Sequence, residues 1–353
     1  MDADELSAIS LRVWRYKQGE VVSFLIYLGD ELGIYRAMAG AGPLTAAQLA
    51  ARTGLHERWL LEWLRCQGAA GLLATPDGVV FELSEEAAEV LANEEGSTWF
   101  AGGAFCGGVS TPELAPRLVD AFRTGRGLSY EDLGPVAAHA VERLTAPWTK
   151  LELVPRIIPL LDGVVERLER GAVVADVGCG AGVAMAALAA AYPASCFEGW
   201  DPSGHALERA RERFADARLD NVELHCAGAA ELPSAPTYDL VLTLDCLHDL
   251  PHPAEAFAAI GRSLKPDGAW LIKEIRAAKS WEENLRNPML ALMYGTSVTA
   301  CLSSALSEPG GAGLGTLGLY PELAEHMCKE AGFTVFRVHD VGDPAHLYYE
   351  VRR

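Results

Sequence analysis

A doubly wound α/β sheet preceded by a smaller, mainly helical winged-helix domain is the fold the sequence predicts, on three observations. Between residues 173 and 275, short β-branched runs alternate with helical stretches, as successive β-α-β units do. The first of those runs, Val173 to Val177, meets a glycine cluster and then an alanine-rich stretch, the pattern of strand, tight turn and helix. The first 95 residues instead read as helix, turn, helix and hairpin, and a length of 353 residues leaves each part enough chain for its own core.

The glycine turn carries the chemistry. Gly178, Gly180 and Gly182 leave the backbone bare, and the helix that starts near Val183 points unpaired N–H groups to the same place. The spacing is G-x-G-x-G rather than the dinucleotide fingerprint, with Asp176 ahead of the glycines, where a negative charge disfavours a diphosphate and suits a sulfonium or an amino group. The next run, residues 196–201, ends in Asp201, placed to accept hydrogen bonds from ribose hydroxyls.

Asp176-Val-Gly-Cys-Gly-Ala-Gly together with Asp201 resembles the first motif and the ribose acid of class I S-adenosylmethionine-dependent methyltransferases. The likeness continues through Gly228, the strand Asp239 to Asp245, and Leu264-Lys-Pro-Asp-Gly268, over the C-terminal two thirds of the chain. The resemblance implies a Rossmann-like sheet that binds S-adenosyl-L-methionine and releases S-adenosyl-L-homocysteine. It places cofactor contacts at Asp176, Gly178, Cys179, Gly180, Gly182, Asp201, Pro202, Gly228, Ala229, Ala230, Asp245 and Cys246. Asp201 is expected to hold the ribose, and Asp176 to orient the glycine turn or receive the cofactor's amino group. One departure stands out: members of the family commonly carry an acid after the glycine of the third strand, and here that position is Ala229.

In chain order, residues 15–38 read as one helix with an apolar seam of Val21, Leu25, Leu28, Leu32 and Tyr35, suited to a core or to a second subunit. Thr45 caps a short helix that Gly54 ends; a second helix carries Trp59, Leu60, Trp63 and Leu64 inward, and Asp77-Gly78 turns a hairpin. The second helix mixes acids with bases and is dominated by bulky apolar groups, and the net charge is -19, so nucleic acid and anionic membranes are poor partners. Similar winged-helix domains in small-molecule methyltransferases serve dimerisation, which implies a homodimer here.

Residues 96–160 are expected to form a helical connector. Trp99, Phe100, Phe105 and the pairs Gly102-Gly103 and Gly107-Gly108 open it, and its aromatics are expected to face the cleft between the domains. Pro112, Pro116, Pro135, Pro147, Pro155 and Pro159 punctuate its helices. The divisions are 1–95 for the winged helix, 96–160 for the connector and 161–353 for the catalytic domain, with a lid insertion at about 277–319 rich in Met, aromatics and glycine. Residues 332–338 and 346–351 read as an antiparallel pair at the sheet edge.

The stretch Asp245-Cys-Leu-His-Asp-Leu-Pro-His-Pro253 comes after the fourth strand. Its D-x-x-H-D-x-x-H spacing invites a metal, but Pro251 and Pro253 spoil the single helical face, so no metal site is expected. His248 is instead the candidate base or acceptor-positioning group, with Asp245 or Asp249 to orient it. The 8 cysteines are scattered without a C-x-x-C pair, and no apolar run is long enough for a bilayer, so a cytoplasmic enzyme is expected. The reading is methyl transfer to a small-molecule acceptor. The alternatives are a winged-helix regulator that senses the cofactor or a metabolite, and an enzyme that uses the same cofactor without methylating.

Overall fold

The computed structural model describes residues 2–106 and 113–353, so Gly107-Gly108 and Pro112 of the predicted connector lie outside the described residues. The chain divides into two compact units, 1–107 with 143–147, and 108–142 with 148–353.

In the first unit, α1 (Ala3–Glu31) and α2 (Ile34–Met38) replace the single expected helix. Gly33 sits at φ 68°, a left-handed conformation that ends α1 and starts a new direction. The expected seam breaks with it: Val21 and Leu32 are half exposed, whereas Ile26, Ile34, Tyr35 and Met38 form the core. Thr45 and Gln48 make a reciprocal capping box ahead of α3 (Ala46–Thr53), and Gly54 closes that helix at φ 72°. In α4 (Glu57–Ala69), Leu60, Trp63 and Leu64 point inward, but Trp59 is 80% exposed, one step around the helix from the buried face. β1 (Leu44–Thr45) pairs antiparallel with β2 (Val80–Phe81), an Ala74 to Glu82 bridge extends the wing, and α5 (Glu85–Leu91) comes next.

In the second unit, α6 (Leu114–Thr124) precedes α7 (Tyr130–Trp148), whose residues 143–147 belong to the first unit and which kinks at Gly134 and continues into a wide π-turn at Thr149–Ile157. After α8 (Val164–Arg170) come seven strands: β3 (Val173–Val177), β4 (Cys196–Trp200), β5 (Val222–His225), β6 (Tyr238–Leu244), β7 (Leu264–Ile275), β8 (Val335–His339) and β9 (His346–Arg352). Their order is β5-β4-β3-β6-β7-β9-β8, parallel from β5 to β7, with β9 running antiparallel between β7 and β8. Helices α9 (Val183–Ala191), α10 (Gly204–Ala217) and α11 (Pro253–Ser263) are the crossovers, and separate apolar clusters fill the two faces of the sheet.

The expected lid is a chain of short helices, α12 (Trp281–Asn284), α13 (Leu290–Thr296), a π-turn at Ser297–Cys301 and α14 (Leu302–Ala305), before α15 (Pro321–Glu330). Its middle is anchored: Ser303 Oγ accepts from Leu128 N–H at 2.8 Å, Leu306 O from Gly127 N–H at 3.0 Å, and Pro251 O from Ala312 N–H at 2.8 Å. Those three bonds make its middle a fixed wall.

In the first unit, Phe100 is buried beneath the Arg143 guanidinium at 5.7 Å while Trp99 stands exposed, so these expected pocket aromatics play unlike parts. Arg143 also bridges Asp30 at 2.6 Å and Glu94 at 2.6 Å, and the Asp30 side chain is only 3% exposed. Removing Arg143 leaves the buried carboxylate with one guanidinium, Arg36 at 3.1 Å, instead of two. Arg143→Met is therefore expected to destabilise the first unit by about 1–3 kcal/mol in urea unfolding, and Arg36→Met in the same background, which leaves Asp30 without a cation, should cost more than the sum of the two single changes.

Candidate active site

The strand register sets the site. Val177 lies beside Trp200 and Thr243, and Leu244 beside Lys273, so Asp176, Asp201, Asp245 and Glu274 come to the same carboxyl-terminal edge of the sheet. The 3-10 turn Leu247–Asp249 then holds His248 and Asp249 over it.

The three glycines of the loop do different work. A Cβ at Gly178 would stand 2.7 Å from Cys246 Cβ, and one at Gly182 would stand 2.6 Å from the Phe214 ring, so both are required by packing within the protein. Gly180, at φ 53°, meets nothing within 4 Å and is the one that leaves room for a ligand. Cys179 and Cys246 also point inward: Cys179 sits in the core, and Cys246 Sγ donates to Val177 O at 3.1 Å. Any ligand contact from either residue is a backbone contact.

Asp201, not Asp176, fastens the loop. Its Oδ2 accepts from Gly180 N–H at 2.9 Å and its Oδ1 from Ser203 N–H at 2.8 Å, while Pro202 is exposed. Burial raises Asp201, and those two N–H groups work the other way. Asp176 is 2% exposed, and its Oδ1 has no hydrogen-bond partner among the described residues. Burial, with the negative charge of Asp201, pushes its carboxyl up to about 7. An orphaned buried acid beside an open glycine suits a ligand that brings a cationic or N–H group. Gly228 is likewise open, its N–H donating to Glu231 Oε1 at 3.1 Å, so the acid near Ala229 is engaged in capping the turn. Ala229 itself packs into the core beside Trp200 and Leu247, and Ala230 is exposed.

Of the two expected partners of His248, Asp249 lies within 4.8 Å of it, whereas Asp245 is turned away. Asp245 takes φ 58°, which turns its carboxylate to Lys273, with His346 at 3.5 Å. Burial would raise Asp245, but these cations hold it below the usual carboxylate range. The carboxylate that faces His248 is Glu274, whose Oε2 meets Nδ1 at 2.6 Å while its Oε1 accepts from Leu247 N–H at 3.0 Å. Burial opposes a positive imidazole, yet Glu274, with help from Cys301 and Asp249, holds His248 well above the ordinary histidine value. Burial pushes Asp249 up to about 7, against the pull of His248, and the Tyr130 hydroxyl donates to it. The sequence alone assigned no role to Glu274, Tyr130, Lys273 or Cys301. The E-I ending of β7 was the available signal. His252 pairs instead with Glu308 at 3.3 Å, away from the cluster the D-x-x-H-D-x-x-H spacing suggested.

Because Asp176 keeps its proton in the folded chain at pH values where the unfolded chain has lost it, its contribution to stability fades as pH rises from about 4 towards 7. Asp176→Asn should therefore melt higher than the parent at pH 8, by roughly 2–4 °C per kcal/mol of relieved charge burial, with the gap closing as pH falls below 7. Equal melting temperatures at pH 8 would refute the buried-acid account.

Residues 174–268 match the methyltransferase domain family, and residues 20–93 match the Rv2258c-like winged HTH domain. A ubiquinone biosynthesis O-methyltransferase from Neisseria meningitidis is 26% identical over 202 residues, covering 57% of this chain and 76% of that protein. In fold, the chain is similar to the mitomycin 7-O-methyltransferase, at a TM-score of 0.68 and 20% identity over 100% of both chains. It is also similar to human N-acetylserotonin methyltransferase in complex with S-adenosylmethionine, at 0.66 and 19% over 100% of this chain and 99% of that one. The orphaned acid and open glycine fit that cofactor, and the chain carries an S-adenosylmethionine-dependent methyltransferase domain behind an N-terminal winged-helix domain.

Proposed function

We propose that the chain methylates a hydroxyl oxygen of a small molecule, with His248 as the base. The observation that carries this reading is the buried His248–Glu274 pair at 2.6 Å on the same edge as the glycine loop. S-adenosylmethionine, when bound, supplies a methyl group made electrophilic by the positive sulfonium. Asp176 and Asp201 are the acids to hold its amino group and ribose, with backbone atoms of the loops at Gly178 to Gly182, Pro202, Gly228 to Ala230, and Asp245 to Cys246 around it. His248 accepts the acceptor's hydroxyl proton at Nε2, and Glu274 at Nδ1 fixes the tautomer and steadies the imidazolium that results. Displacement in line with the departing sulfur needs the acceptor oxygen held and water kept out, which buried walls provide. Asp245, bound to Lys273, shapes the cofactor edge rather than touching His248.

The O-methyltransferase names among the relatives favour oxygen as the acceptor atom. Leu6, Ile9, Val13 and Tyr16 form an exposed apolar stripe along α1, which supports a homodimer. Eight cysteines without a disulfide support a reducing cytoplasm, and no helix among the described residues is long and apolar enough to cross a membrane. The net charge of -19 supports a partner other than nucleic acid. A division of labour at 95 and 160, with the winged helix serving assembly, is part of the same proposal, although the compact units themselves part at 107 and the first takes in 143–147.

His248→Ala is expected to lower kcat by 10²–10⁴-fold while leaving cofactor affinity within about twofold, read by turnover and calorimetry. Because His248 is held above the ordinary histidine range, kcat/KM for the acceptor should climb with pH through a value above about 6.5, and that limb should vanish in the variant. Asp201→Ala removes the ribose acid and frees the Gly180 N–H, so it should weaken S-adenosylmethionine by roughly 1–3 kcal/mol; unchanged affinity would remove Asp201 from the site. Transfer of labelled methyl to the acceptor separates this reading from a silent regulator and from non-methylating chemistry.

A further inference from the structure

We infer that His248, Asp249 and Cys301 form a binding site for a soft divalent cation of the zinc class, and that a cation there silences the base. Their ligand atoms lie within 4.8 Å of one another, and all three residues are buried. Each is 3–6% exposed, so a cation bound there gives up its water to protein atoms. The set combines an imidazole, a carboxylate and a thiol, the mixture that zinc takes and that magnesium and calcium do not.

Two further features favour a cation over three neighbours packed by chance. Glu274 holds His248 Nδ1 at 2.6 Å, which leaves Nε2 as the ring nitrogen that ligates once it gives up its proton. A carboxylate behind the second nitrogen is the usual support of a metal-binding histidine, since it fixes the tautomer and raises the basicity of the ligand. The Tyr130 hydroxyl also reaches both Asp249 and Cys301, so a further oxygen stands beside the three. Cys301 comes from the π-turn of the anchored wall and His248 and Asp249 from the turn after β6, so the ligands are fixed by two separately held segments.

On coordination the Cys301 thiol and the His248 imidazolium each give a proton to solvent, as Asp249 does where it is protonated, and sulfur, nitrogen and oxygen bond to the cation; no redox change is involved. Nε2 cannot hold a cation and accept a proton at once, so occupancy and catalysis exclude each other. That second half rests on the proposed role of His248.

The test starts from the full chain stripped with a chelator and free of cofactor. Titration with Co²⁺ should give one equivalent of a thiolate-to-cobalt charge-transfer band. Cys301→Ser should abolish the band, and Cys196→Ser with Cys226→Ser, the two exposed thiols, should leave it intact. Should Cys301→Ser fail to fold, zinc X-ray absorption on the parent chain decides the point: one sulfur at about 2.3 Å with nitrogen and oxygen at about 2.0–2.2 Å is expected. A shell without sulfur, or a band that survives Cys301→Ser, overturns the site. Methyl transfer should fall at least tenfold in proportion to zinc bound and return with chelator. Sulfur-bound zinc with unimpaired turnover overturns the silencing, whereas a metal-free chain that never turns over fails the methyltransferase reading and leaves the spectroscopic result to stand or fall by itself.

Discussion

Burying several carboxylates at one end of a sheet is the constraint on which the rest of the site depends. Asp176, Asp201, Asp245, Asp249 and Glu274 all reach the carboxyl-terminal edge, where each desolvated negative charge costs free energy unless it is answered. Four have answers built into the chain. Asp201 takes two backbone N–H groups, Asp245 takes Lys273, Glu274 takes His248, and Asp249 takes the Tyr130 hydroxyl. Asp176 is left over, and the edge therefore holds one unanswered acid where a positive ligand belongs.

The same constraint explains the glycine loop. Gly178 and Gly182 are small because Cys246 and Phe214 press on them, so two of the three glycines preserve the packing that keeps the loop in one shape. Gly180 alone faces open space, and its N–H is already held by Asp201. The acid expected to serve the ligand thus first fixes the loop that receives it. A carboxylate oxygen has a second lone pair, so fastening the loop and accepting a ribose hydroxyl are compatible.

Much of this was legible in the sequence, and the unread parts have physical reasons. Strand, turn and helix around Asp176 arise from local chemistry: a β-branched run, glycines that adopt positive φ, and an alanine-rich helix that ends before Pro193. The caps at Thr45 and Gly54 are equally local. Glu274 as the partner of His248 was hidden because it depends on β6 lying beside β7, a pairing between residues far apart in sequence. Asp245 was misjudged because one backbone angle, φ 58°, redirects its side chain, and nothing in the residue name announces that. Cys301 was silent for a similar reason, since only the folded wall brings it to His248. The helical seam of residues 15–38 failed at Gly33, a residue that the periodicity passes over but the backbone does not.

The strained backbone at Asp245 has a rationale in the same balance of charge. A non-glycine residue in the left-handed region costs on the order of 1–2 kcal/mol, and it persists only where its surroundings hold it there. Here Lys273, 3% exposed and 4.5 Å over the Trp148 ring, pairs with the carboxylate, while Asp245 N–H donates to Lys273 O at 2.8 Å, so side chain and backbone pull the residue the same way. His346 approaches at 3.5 Å and is itself held by Asp343 at 3.2 Å. An unstrained Asp245 would release its charge among Asp176, Asp201 and Glu274, where one more unpaired carboxylate is least tolerable. Turning it towards the buried lysine keeps the negative potential of the edge in the acids that have no cation of their own, and that is where a sulfonium gains most.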